Sequence, residues 1–110
     1  MPASLAIRQF LKALPDNFSI DSLNKLGREA HKLMSQEPTV AAPLMLTAYG
    51  FWALANHWED EPLDPSVSEN ISQMLHTTVA KALREPSIDS CNALALGLRR
   101  AFEHPLTPGL

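Results

Sequence analysis

The stretch VAAPLMLTAYGFWALANHW, from Val40 to Trp58, contains no Lys, Arg, Asp or Glu. Spaced at 100° per residue as a helix, it presents three sides. The first is Leu44, Ala48, Phe51, Ala55 and Trp58; the second is Met45, Tyr49, Trp52 and Asn56; the third is Leu46, Gly50, Ala53 and His57. A helix that is apolar all round must be covered all round, either by its own neighbours or, since a domain this small covers a helix on every side with difficulty, by a second copy. Pro43 falls in or near the first turn, where its missing N–H costs little.

The charge-free run from Pro38 to Trp58 is long enough to cross a bilayer. Pro43, Asn56 and His57 lie inside it, and acids flank it at Glu37 and from Glu59 onward, where basic anchors would be expected on one side. A buried core helix is therefore expected, with no membrane, because the rest of the chain offers apolar stripes to cover it.

Those stripes are helical throughout. Over 4–14, Ile7, Phe10, Leu11 and Leu14 recur at helical spacing, and Pro15-Asp16-Asn17 follows. Over 20–36, with Ser19 as N-cap, the inward side is Leu23, Gly27, Ala30 and Met34, widened by Leu26 and Leu33. Over 66–85, Ser66-Val67-Ser68-Glu69 reads as a capping box, and Val67, Ile71, Met74, Leu75, Thr78 and Ala82 point inward. Over 88–104 the core side is Cys91, Leu94, Ala95, Leu98, Ala101 and Phe102. Proline-bearing turns separate the segments, and short turns set consecutive helices antiparallel.

The expected fold is an all-α, compact five-helix bundle whose apolar central helix (about 40–58) is covered by four amphipathic helices. Residues 1–104 form one domain and 105–110 a flexible tail. Mid-helix Gly27, Gly50 and Gly97 are expected where helix axes approach closely, since each costs about 1 kcal/mol relative to Ala. Glu37-Pro38-Thr39-Val40 recurs as Glu85-Pro86-Ser87-Ile88. Two copies are too few to stack as a solenoid, and Pro-Thr and Pro-Ser are ordinary helix starts.

Composition narrows the function. The chain has 110 residues, 45% of them hydrophobic and 19% charged, enough core for one domain and no more. Cys91 is the only cysteine, which excludes an internal disulfide and a Cys-based zinc site and fits the reducing cytoplasm. The N-terminal apolar residues are broken by Arg8, Gln9 and Lys12, unlike a secretory signal. Gly-x-Ser-x-Gly, His-Glu-x-x-His and a glycine-rich phosphate loop are all missing, and no Glu has a His three residues on. His57, Glu59, Asp60, Glu61 and Asp64 could offer oxygens and an imidazole to a divalent ion, but Pro62 limits their convergence. No cofactor or metal is expected.

Charge is unevenly spread. Residues 1–34 carry +2, residues 35–70 carry −6 with no Lys or Arg, and residues 71–110 carry +1, within a net charge of −3. The basic stripe Lys25, Arg28 and Lys32 can pair with Asp21 and Glu29 and has no interleaved aromatics, so no nucleic acid is expected. The acidic middle beside an aromatic helix end can steer a basic partner. The Met45, Tyr49, Trp52 and Asn56 side mixes rings with polar atoms as interface cores do.

The expected function is a small cytoplasmic, non-catalytic protein-interaction module (a subunit, adaptor or regulator), self-associating as a homodimer or homo-oligomer. Its candidate surface is Trp52, Trp58, Glu59, Asp60, Glu61 and Asp64. The alternative is a small helical enzyme or ligand-binding protein with a pocket lined by Tyr49, Trp52, His57 and His76.

Overall fold

The computed structural model describes residues 3–62 and 64–103. Five α-helices follow one another, α1 (Leu5–Lys12), α2 (Ile20–Gln36), α3 (Ala41–Asp60), α4 (Pro65–Arg84) and α5 (Ile88–Glu103), with a 3-10 turn at Pro38–Val40 leading into α3. There is no strand among the described residues. His104 and the tail expected over 105–110 lie outside them.

Local chemistry sets the helix ends. Ser4 accepts from the Ile7 N–H, and its hydroxyl donates to Glu37, tying the start of α1 to the end of α2. Ser19 and Ser22 exchange side-chain-to-backbone bonds across the first turn of α2, and Ser87 and Ser90 repeat the arrangement before α5. The expected box at Ser66 is corrected. Asp64 caps α4 by accepting from the Ser66 N–H at 2.9 Å and the Ser66 hydroxyl at 2.6 Å. Pro65 explains the shift: it suits the first helical position and holds Asp64 extended before it.

Three helices stop in one way. Glu37, Glu61 and Glu85 each precede a proline and adopt φ −128°, −132° and −130° with ψ 66°, 83° and 67°. Each N–H still reaches the carbonyl four residues back, at 2.8 Å. Crowding by the proline ring disfavours helical geometry in the residue before it, which helps end the helix there. The likeness of Glu37-Pro38 to Glu85-Pro86 therefore reflects a helix stop rather than a two-helix repeat, since Glu61-Pro62 shares it with a different sequel.

The tight turn after Glu37 folds α3 back along α2, and the turn after Glu85 folds α5 back along α4. α3 also packs on α5, in the same sense: Gly50 meets Leu98, and farther along both helices His57 meets Phe102. The core between them holds Leu23, Leu44, Phe51, Leu54, Leu75, Val79 and Leu94, all fully buried, with Phe18 edge-on to Phe51 at 5.2 Å. The radius of gyration is 13.4 Å, close to the roughly 13 Å expected for a folded chain this long.

One expectation about packing is corrected, and one alternative for α3 is narrowed. Of the three mid-helix glycines, Gly97 has ordinary space around it, whereas Gly27 and Gly50 sit at close approaches to Trp52 and Leu98. And α3 is covered on its inner side and both flanks, but not all round: Ala42, Met45, Tyr49, Ala53 and Asn56 are exposed. Four helices of this size supply too little surface to enclose a fifth.

Candidate interaction surface

Among the described residues, exposed large hydrophobic side chains occur at Leu5, Ile88 and Leu96 and, two on one helix, at Met45 and Tyr49 on the outer face of α3. Met45 is 49% exposed and Tyr49 52% exposed, on a helix with no charged side chain from Ala41 to Trp58. Large apolar groups clustered on one exposed face mark a contact surface more often than isolated ones do. Exposed along it are Ala42, Met45, Tyr49, Ala53, Asn56 and Asp60, at steps of three and four residues. That is the spacing with which a helix seam meets another helix. Leu46, beside them, is half-buried.

Both flanks are built from neighbouring helices. On the α2 side His31 lies 6.0 Å from Tyr49 and 5.7 Å from Trp52, ring centre to ring centre, and Tyr49 stands edge-on to Trp52 at 5.2 Å. The cluster holds the Tyr49 ring in place although half of it meets solvent. On the α5 side Ala95 and Leu98 join Met45, Leu46, Tyr49 and Gly50 around a largely apolar cleft of about 470 Å³. Ala95, expected in the core, is exposed here.

The residues singled out from sequence are divided between two roles. Trp52 is half-buried on the α2 flank, against Gly27. Trp58 is 5% exposed and belongs to the core, and its Nε1 has no hydrogen-bond partner among the described residues. Glu59, Asp60 and Glu61 are exposed at the far end of α3, where Glu61 lies 3.8 Å from His57 Nε2. Asp64 is exposed but engaged in capping, and the Ser66 hydroxyl and N–H hold its carboxyl below the ordinary carboxylate value. Only Asp60 belongs to that exposed set. The exposed residues Met45 and Tyr49 belong to a side whose mixed character was visible in the sequence; Leu46 and Ala53 gave no such signal.

The four residues of the alternative pocket do not converge. Tyr49 lines the α3–α5 cleft, and His57 faces Phe102 at 5.4 Å. His76 lines a shallow cleft with Asp16, Glu69, Gln73 and Thr77. Among the described residues no three His, Cys, Asp or Glu side chains are grouped to hold a metal ion. Cys91 is a half-buried free thiol.

No protein-family model, curated protein or solved structure matches the chain. The segment Pro38–Asp60 is long and apolar enough to cross a membrane by length and composition, and 44% of its most apolar window is buried against the other helices. Its exposed remainder is the face described above.

Proposed function

We propose that the protein is a small, non-catalytic interaction module that associates with a second copy of itself through the outer face of α3. The observation that carries the proposal is the exposure of Met45 and Tyr49 on a helix that is uncharged from Ala41 to Trp58. Apolar area contributes about 25 cal/mol per Å² on leaving water, so two half-exposed side chains of this size give a useful driving force on each copy. The His31 and Trp52 rings hold Tyr49 in one orientation, which lowers the entropy lost on docking. Aromatic anchors of this kind dominate interface energetics.

The proposed setting is the cytoplasm, which suits a free, half-buried Cys91. The exposed acids Glu59, Asp60 and Glu61 stand at the end of the same face and leave a surface for a basic partner once the pair has formed.

Sedimentation of the wild type against Tyr49→Asp and Met45→Glu tests the proposal. The wild type is expected to dimerise, and both variants to run as monomers with unchanged helical circular dichroism. A wild type that stays monomeric at roughly 100 µM, or that partitions into neutral lipid vesicles instead of pairing, overturns it.

A further inference from the structure

We infer that α1 is a hinged flap: residues 4–14 open as one unit while the other four helices stay folded, uncovering an apolar seat between α2 and α4. The inference is independent of the self-association proposed above.

α1 is the least anchored helix of the five. It has 8 residues, against 17, 20, 20 and 16 in the others. A helix that short is marginal in water unless packing holds it. Among the described residues, the segment 4–16 makes one polar contact with the rest of the molecule, the exposed hydrogen bond from Ser4 to Glu37. Arg8 and Lys12 enter no ion pair with a described residue. A cleft of about 380 Å³ lies between α1 and α2, and another of about 370 Å³ between α1 and α4. The contact of α1 with α2 is far smaller than that of α2 with α3. What holds the helix is the burial of Ile7, Phe10, Leu11 and Leu14. Four apolar side chains must therefore offset the entropy lost in ordering the whole segment. Elements with few such contacts open at a lower free energy than the rest of the fold.

The segment also has a pivot with a fixed far end. Phe18 is buried edge-on to Phe51, and its N–H donates to the Ser72 hydroxyl at 2.8 Å. Asn17 accepts from Ser68 and Ser72 through its side-chain oxygen. Motion that begins in α1 is thus stopped at Asn17. Among the described residues no backbone hydrogen bond ties down Pro15 or Asp16, which leaves these two as the hinge.

The seat is matched to α1. Ile7 shares one cleft with Val40 and Leu83, Phe10 a second with Leu26 and Leu33, and Leu11 a third with Ala80. Its occupant is the flap of the same chain, clipped at the tip by Ser4 and Glu37.

Native-state hydrogen exchange, followed amide by amide in rising sub-denaturing urea, tests the inference. The amides from Gln9 to Ala13 are expected to share one protection level, roughly tenfold or more below those of α2 and α3, and one urea dependence. Glu37→Ala removes the clip and is expected to speed exchange in α1 about threefold, with α3 unchanged. Glu37→Gln keeps an accepting oxygen and should restore the wild-type rate. Protection of α1 equal to that of α2 and α3 shows that it opens only with the whole fold, and overturns the inference. Protection graded along α1 without urea dependence shows fraying of a helix end, and overturns it too. So does a Glu37→Ala effect spread evenly over all five helices.

Discussion

The indole of Trp52 occupies the space that a side chain on Gly27 would need. A Cβ there would come within 2.8 Å of Nε1 and 3.1 Å of the Ala48 carbonyl oxygen. Gly27 is therefore what lets α2 pass beneath the ring that orients Tyr49. Gly97 differs, because a Cβ added there would approach Thr78 Oγ1 no closer than 3.4 Å, an ordinary contact.

The two glycines should consequently respond in opposite directions to alanine. Alanine is the better helix former by about 1 kcal/mol, so Gly97→Ala is expected to raise stability by up to that amount. Gly27→Ala is expected to lower stability by about 1 kcal/mol, because displacing a ring and a backbone carbonyl outweighs the same propensity gain. Paired urea titrations measure both. A stabilising Gly27→Ala would mean that the α2–α3 seam yields more easily than its spacing implies.

Asp64 makes the fold sensitive to acid at one known point. The Ser66 hydroxyl and N–H hold its carboxyl below the ordinary 3.8. A group lowered in the folded state contributes fully above its unfolded value, and the contribution is lost as pH falls through the lower folded value. Stability is expected to decline below about pH 3.8 partly for this reason. Asp64→Asn caps without titrating, so its urea midpoint should change less between about pH 5 and pH 2 than that of the wild type. Identical acid limbs would remove Asp64 from the account.

Ser72 joins the loop before α2 to α4. Its hydroxyl is fully buried, accepts from the Phe18 N–H at 2.8 Å and donates to the Ser68 carbonyl at 2.7 Å. Ser72→Ala leaves the Phe18 N–H without a partner in the core, at an expected cost of about 1–3 kcal/mol. Ser68→Ala, in the more open turn nearby, should cost well under half of that. Chemical denaturation of the two variants checks the ordering.

Much of this architecture is legible in the sequence, and the shortfalls have physical causes. α2 is bounded as Ser19 and Glu37-Pro38 dictate, because capping and proline sterics act within a few residues. The core positions Val79, Leu83, Ser72 and Ser90 were not anticipated. Which flank of a two-sided stripe turns inward depends on the partner helix, and local spacing does not encode that. The same applies to α3. Its sequence specifies an uncharged cylinder, while the number of neighbours it acquires follows from the size of the whole domain. Trp58 and Trp52, alike as residues, were separated into core and flank by their phase on that cylinder.

Trp58 offers a way to separate core stability from surface contact. It is 5% exposed, yet its Nε1 has no hydrogen-bond partner among the described residues, so its N–H is desolvated without return. Trp58→Phe removes that donor while keeping most of the ring, and is expected to stay within about 1.5 kcal/mol of wild type. Trp58→Ala empties the site and should cost about 3–5 kcal/mol. Because the ring lies on the inner side of α3, opposite Tyr49, Trp58→Phe should leave sedimentation unchanged at concentrations where Tyr49→Asp is already monomeric. A Trp58→Phe protein that keeps its urea midpoint but loses the dimer would place the contact around the acidic end of α3 rather than on its outer face.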